Sequence, residues 1–164
     1  MGQLDGKIAI VTGAGTGIGK GIARAFSREG AHLVIASRNK DKLDSAAIEF
    51  RALGADVLVV QTDLTEEAQV LDLFTQTTDR FGRLDLMVNN SGIFKGGPVD
   101  EIALKDWKDV VDINLTAVFL CSREAMKIMK RQQGGRIINI GSISAQMPRM
   151  NSAPYTATKF GLVG

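Results

Sequence analysis

Tyr155 is the only tyrosine in the chain, and Lys159 stands four positions after it. On a helix that spacing puts both side chains on one face with Cβ atoms about 5–6 Å apart, so an ammonium can sit beside a phenol. A nearby cation favours the ionised phenol. A phenol tuned in this way can give a proton to a carbonyl oxygen or take one from an alcohol. The same spacing is also common on helices without any chemical role, so alone it leaves a structural reading open. Ser142 lies thirteen residues earlier, where its hydroxyl can hydrogen-bond the same substrate oxygen and hold developing negative charge. Ser144 competes for that role, and ordinary loop chemistry accounts for either serine by itself.

Asn114 is a third candidate. Val110, Asn114, Ala117, Cys121, Ala125 and Ile128 form one row at helical spacing, which puts an amide on a stripe expected to be buried. A buried amide must find partners, and a structural or a catalytic duty meets that need equally well. Cys121 on this row reads as a small core residue. With one cysteine and one histidine, His32, the chain has no disulfide and no Cys-based metal site. His32 opens a strand, remote from the ends where ligands bind, and is read as surface or structural. Trp107 and Phe119 are read as packing residues.

A second kind of chemistry is written in "VTGAGTGIGKG". A glycine-rich turn after a strand and before a helix lets the backbone approach a pyrophosphate, and the helix N-terminus offers free N–H groups and partial positive charge. The nucleoside-triphosphate loop fails here, since Ala14 and Gly21 stand where it needs glycine and serine or threonine. The common G-x-G-x-x-G spacing fails at Ile18. G-x-x-x-G-x-G fits through Gly13, Gly17 and Gly19, while Gly13, Gly15 and Gly17 also permit a methyltransferase pattern. The end of the second apolar run discriminates between them. An acidic residue there usually accepts a hydrogen bond from a free ribose 2′-hydroxyl, whereas a 2′-phosphate calls for arginine. The chain has Ser37 and Arg38, which favours NADP (NADPH) with NAD as second choice, although an arginine opening a loop can also be a plain solvated charge.

The elements that must position these groups follow from hydrophobic pattern. "KIAIVT", "HLVIA", "DVLVVQ", "LDLMVN" and "RIINI" are nearly continuous apolar runs, the mark of strands buried on both faces of a parallel sheet. Helical periodicity falls between them. Ile18, Ile22, Ala25, Phe26 and Glu29 make one stripe, and Val70, Phe74, Thr77 and Phe81 another. Thr65 before two glutamates reads as a capped helix start. Strand and helix in unbroken alternation predict an α/β, Rossmann-type, doubly wound parallel sheet with five strands in the order 3-2-1-4-5. Two loops, "SGIFKGGPVDEIAL" and "GSISAQMPRMNSA", leave the carboxyl ends of the fourth and fifth strands, where open α/β sheets bind ligands.

The totals set limits on partners. With 164 residues and no repeats, residues 1–164 read as a single dinucleotide-binding domain. A formal net charge of +2 without a basic tract gives no support to nucleic-acid or membrane-surface binding. No apolar run approaches the roughly 20 residues of a membrane span, and "MGQLDGK" lacks the features of a signal peptide. The expected setting is cytoplasmic and the expected partner a small molecule.

Taken in order, "TGAGTGIG", "TDL" with Asp63 and Leu64, "NNSG" with Asn90, Ser91 and Gly92, then Asn114, Ser142, Tyr155 and Lys159 resemble the short-chain dehydrogenase/reductase family along essentially the whole chain. The resemblance is to its NADP-preferring, 3-oxoacyl-carrier-protein-reductase-like members. It implies an enzyme that interconverts a carbonyl and a secondary alcohol by hydride transfer, with Tyr155 as general acid/base. It further implies that Ser142 positions the substrate oxygen, Lys159 tunes Tyr155 and binds the nicotinamide ribose, and Asn114 anchors a water in a proton relay. Gly13, Gly15, Thr16, Gly17, Ile18, Gly19, Ser37, Arg38, Asp63, Leu64, Asn90, Ser91, Gly92, Tyr155 and Lys159 would hold the cofactor, with Asp63 at the adenine and Asn90 on the adenosine side. A homodimer or homotetramer is implied on the same ground. Two departures stand out: Ser91 replaces the family's usual alanine, and family members normally continue into a sixth and seventh strand, so C-terminal truncation is expected. An inactive cofactor-binding fragment or interaction module is the main alternative, and S-adenosylmethionine-dependent methyl transfer is another.

Overall fold

A computed structural model describes residues 2–164. Strands β1 (Ile8–Thr12), β2 (His32–Ser37), β3 (Val57–Gln61), β4 (Leu86–Asn89) and β5 (Arg136–Asn139) form one parallel sheet in the order β3-β2-β1-β4-β5. Every neighbouring pair is parallel, with Ala9 in register with both Leu33 and Leu86. The connecting helices are α1 (Gly17–Arg28), α2 (Lys40–Ala52), α3 (Glu67–Phe81), α4 (Leu104–Val111), α5 (Ala117–Arg131) and α6 (Ala153–Gly161). A π-helical turn, Asp112–Thr116, joins α4 to α5.

The near-continuous apolar runs form these strands because both faces of the sheet are covered. Along β1, Ala9 and Val11 join a core with Leu33, Ile35, Leu43 and Phe50, while Ile10 joins the opposite core with Val34, Leu73 and Met87. This is the two-residue alternation of a strand read out on two packed faces. Each fully buried large side chain, such as Phe50 or Ile10, contributes about 1.5–3 kcal/mol of hydrophobic stabilisation before entropy is counted. The chain runs outward from β1 to β3, then crosses to β4 on the other side of β1. That reversal creates the crevice at the carboxyl ends of β1 and β4, the expected place for a ligand.

Several local expectations change. On α1 the buried face is Gly19, Ala23 and Ser27, and Ile18 of the expected stripe is 68% exposed. Small residues let the helix approach the sheet closely, which turns Ile18 into the crevice. Thr65 does not cap α3. Its hydroxyl donates to Asp63 Oδ1 at 2.7 Å, and the helix begins at Glu67. The fifth apolar run does form a strand, but β5 is not buried on both faces, since Arg136, Ile138 and Asn139 are exposed at the sheet edge. Trp107 and Phe119 are partly exposed rather than core. Phe119 is 59% exposed, with the Arg123 guanidinium 5.6 Å from its ring centre. His32 does prove structural: its Nδ1 accepts from the Asp56 N–H at 3.1 Å.

Candidate active site

Gly13 follows β1 directly and takes a left-handed conformation, φ +67, that glycine adopts without steric cost. Its N–H donates to Ala36 O at 2.7 Å, so the turn is tied to β2. Gly19 serves by close approach. A Cβ there would strike the Asn90 amide and the Gly13 carbonyl. Thr16 at the head of α1 is extended and gives no side-chain cap, and the first turn carries no acidic residue. The first N–H groups of α1, which have no intrahelical partner, therefore remain available to an anion.

A groove of about 350 Å³ opens over this helix end. Gly13, Thr16, Gly17 and Ile18 form one wall, Asn90, Ser91 and Gly92 another, and Ser37 with Arg38 lies at the β2 side. No carboxylate is among the residues that line it. Open N–H groups, glycine backbone and an arginine, with no opposing negative charge, are a donor set that fits a dinucleotide pyrophosphate. Three expected contacts, Gly15, Gly19 and Asp63, are not brought to the groove wall. Gly15 packs against α2, its missing Cβ lying 3.1 Å from Lys42 Cβ. Asp63 Oδ1 accepts from the N–H and hydroxyl of Thr65, at 3.0 and 2.7 Å, while its neighbours Thr62 and Leu64 line the groove.

Thr12 organises this region, and sequence reasoning missed it. Its Oγ1 donates to Val88 O at 3.3 Å and accepts from the N–H groups of Asn90 and Ser91, both at 3.0 Å. Asn90 Nδ2 in turn donates to Thr12 O at 2.9 Å. One buried hydroxyl thus fixes the strip after β4 against the glycine turn. A threonine ending an otherwise apolar strand, immediately before the turn, was the available signal.

The groove runs into a second cleft of about 460 Å³, the two sharing Ile18, Asn90, Gly92 and Ile93. Ser142, Tyr155 and Lys159 all line this cleft. Pro154 opens α6, where a missing N–H does no harm, and the helix then carries Tyr155 and Lys159 one turn apart. Lys159 is 7% exposed, its Nζ donates to Ile140 O at 2.8 Å, and it lies 5.6 Å from the centre of the Tyr155 ring. Burial pushes the Lys159 pKa below the ordinary lysine value. Phe94 meets the Tyr155 ring edge-on at 5.4 Å, a contact the sequence did not suggest. Both Ser142 and Ser144 line the cleft, but they differ in burial. Ser144 is 1% exposed, while the Ser142 hydroxyl accepts from the Ser144 N–H at 3.1 Å and keeps its own proton to donate.

Asn114 sits in the π-helical turn, a feature that is rare and frequent at functional sites. It is 1% exposed. Its Oδ1 accepts from Ile93 N–H at 2.8 Å, and its Nδ2 donates to Ile93 O at 2.9 Å and to Thr158 Oγ1 at 3.4 Å. Both ends of the amide are therefore engaged, and they clamp the loop after β4 to the α4–α5 helix and to α6. Asn114 is not among the residues that line either cleft. Cys121, about two turns further on, is buried, and burial pushes its thiol pKa up to about 12.

A family model described as short chain dehydrogenase matches residues 7–164. The chain is 38% identical over 165 residues to a 3-oxoacyl-[acyl-carrier-protein] reductase of Synechocystis sp., covering 100% of this chain and 67% of that protein. It is 37% identical over 157 residues to gluconate 5-dehydrogenase of Gluconobacter oxydans, covering 96% and 61%. Among solved structures, a short chain dehydrogenase/reductase from Burkholderia phymatum in complex with NAD superposes with a TM-score of 0.95 at 33% identity, covering 99% of this chain and 58% of that one. A short-chain type dehydrogenase/reductase from Mycobacterium marinum gives 0.94 at 34% identity, covering 98% and 66%. The chain thus spans 67% and 61% of the lengths of these two curated relatives.

Proposed function

The chain belongs to the short-chain dehydrogenase family, and from that premise we propose that it interconverts a carbonyl and a secondary alcohol with a nicotinamide dinucleotide, NADP(H) before NAD(H). The observation that carries the reading is the gathering of Ser142, Tyr155 and Lys159 on one cleft that is continuous with the acid-free groove over α1. Residues 1–164 act in this reading as one dinucleotide-binding unit. Family membership leaves the methyl-transfer alternative without support. No helix among the described residues is long and apolar enough to cross a membrane, and a small molecule from solution is the partner this reading requires.

Gly13, Thr16, Gly17 and the first N–H groups of α1 would hold the pyrophosphate. Thr62, Leu64 and Asn90 would flank the adenosine, and Ser37 and Arg38 its ribose. The bound dinucleotide supplies or takes up the hydride. Tyr155 gives its phenolic proton to the carbonyl oxygen in reduction and removes the hydroxyl proton in oxidation. Ser142 donates a hydrogen bond to the same oxygen, which steadies the negative charge that develops there. Lys159, held by Ile140 O at 2.8 Å, keeps a cation beside the phenol and favours the ionised form of that side chain while the proton is away. Asn114 keeps Ile93 in place through its two bonds to that residue's backbone, and so holds the wall shared by both clefts.

Cofactor choice rests on Arg38, whose backbone is fixed by Gln61 Nε2 donating to its carbonyl at 2.9 Å. Titration of the chain with NADPH and NADH tests this directly. NADPH is expected to bind more tightly, and Arg38→Leu to bring the two affinities together by weakening NADPH alone. Tighter NADH binding by the unaltered chain would overturn the NADP preference. Failure to bind either dinucleotide would overturn the whole reading.

A further inference from the structure

The substrate side of the cleft carries a charge that the proton chemistry does not use. Arg149 lines the same 460 Å³ space as Ser142, Tyr155 and Lys159, and no aspartate or glutamate is among the lining residues. Among the described residues, no carboxylate forms an ion pair with Arg149, although ten other lysines and arginines do pair. The loop that carries it is fixed. Ser152 Oγ, on a residue only 2% exposed, donates to Arg149 O at 2.7 Å. The Gly97 N–H donates to Asn151 O at 2.9 Å, and Asn151 holds a left-handed conformation, φ +55. Gly96 closes the contact, since a Cβ there would collide with the Asn151 carbonyl. The loop after β4 and the loop before α6 thus brace each other, and Arg149 lines the cleft beside them.

A guanidinium presents its donors as a rigid planar fork that matches a carboxylate or phosphate and has no acceptor to offer in return. The braced loop fixes the backbone from which this fork extends. We propose that Arg149 is a specificity-determining residue that binds an oxyanion group of the substrate, so that the chain acts on carbonyl compounds or alcohols that carry a carboxylate or a group of like charge. The reacting oxygen sits at Tyr155 and Ser142, and the anionic group lies toward Arg149. This inference rests on the oxidoreductase reading above and deepens it.

The test uses the full chain loaded with oxidised dinucleotide, so that ketones bind without turnover. Calorimetric titration compares acetoacetate with methyl acetoacetate, which differ in the charge and not in the ketone. Acetoacetate is expected to bind about tenfold or more tightly than the ester, the span of a charge-assisted hydrogen bond. Arg149→Gln should abolish that gap, Arg149→Lys should retain part of it, and Arg149→Glu should invert it. Arg131→Gln, at the exposed end of α5, serves as the control and should leave the gap unchanged. Equal binding of acid and ester by the unaltered chain, or an undiminished gap in Arg149→Gln, would overturn the proposal and leave the oxidoreductase reading standing. So would a loss of dinucleotide affinity in Arg149→Gln, which would give the guanidinium to the cofactor. A chain that takes up no dinucleotide at all would overturn the oxidoreductase reading first, and the two failures are thereby distinct.

Discussion

Replacing Asn114 with alanine strips Ile93 of both its backbone partners at once. The amide is 1% exposed and bonds the Ile93 N–H at 2.8 Å and the Ile93 carbonyl at 2.9 Å. A buried polar group left unpaired costs about 1–3 kcal/mol, so two set a ceiling of about 6 kcal/mol. Ile93 is only half-buried and borders the groove, where water can reach the freed groups and restore part of that loss. The expected destabilisation is therefore about 2–4 kcal/mol, read as a lower urea midpoint at unchanged slope. Asn114→Asp keeps the acceptor for the Ile93 N–H but sets a carboxylate against the Ile93 carbonyl. It should be no better than alanine at neutral pH. Amide exchange at Ile93 is the local readout, and its protection should fall in the alanine variant, which removes the acceptor of that N–H. A loss below about 0.5 kcal/mol, the range of an ordinary surface substitution, with Ile93 still protected, would refute the clamp.

Other outcomes follow from the same geometry. Gly19→Ala forces a methyl into the Asn90 amide and the Gly13 carbonyl and should cost about 1–3 kcal/mol by overpacking. Dinucleotide titration should show weaker binding by the refolded variant. Asp85 is drawn upward in pKa by burial, but bonds from Arg83 and the Ile8 N–H and the charges of Arg83 and Lys7 outweigh that and hold it below the usual aspartate value. Its stabilising effect is therefore fully present above the unfolded pKa of about 3.9 and is lost as pH falls through the folded value. Urea unfolding from about pH 5 downward should show a steeper loss for the unaltered chain than for Asp85→Asn, and parallel curves would contradict the assignment. Cys121, with its thiol pushed up to about 12, should resist a thiol reagent in the folded chain at pH values near neutrality and react on unfolding. Rapid labelling of the folded chain would contradict its burial.

Much of the fold was legible because strands covered on both faces must be apolar throughout, as "KIAIVT" is, whereas "RIINI" follows the same pattern at an exposed sheet edge. The switch point follows from the strand order, and the groove lies at it. What sequence pattern cannot report is which member of a polar pair wins a shared partner. Thr65 looked like a helix cap, yet Asp63 Oδ1 takes its hydroxyl at 2.7 Å, and the same bond draws Asp63 away from the groove wall. Ile18 looked like core because its spacing is helical, whereas the close approach through Gly19 and Ala23 leaves it in the crevice. Asn114 was visible as an amide on a buried row. Its partner, the backbone of a residue 21 positions away, depends on a loop path that no local periodicity encodes. Arg149 carried no signal at all in a polar loop, and its interest arises only from the cleft it borders.

The central claim is that Tyr155 moves the proton while other groups hold the dinucleotide. Tyr155→Phe keeps the ring that Phe94 meets edge-on at 5.4 Å and removes only the hydroxyl. The direct measurement is carbonyl-dependent oxidation of NADPH by this variant, alongside NADPH titration of the same preparation. Turnover is expected to fall by about 100-fold to 10,000-fold, the range of general acid/base catalysis, with NADPH affinity changed by less than about threefold, roughly 0.7 kcal/mol. Retained turnover, or lost NADPH affinity with turnover intact, would contradict the account.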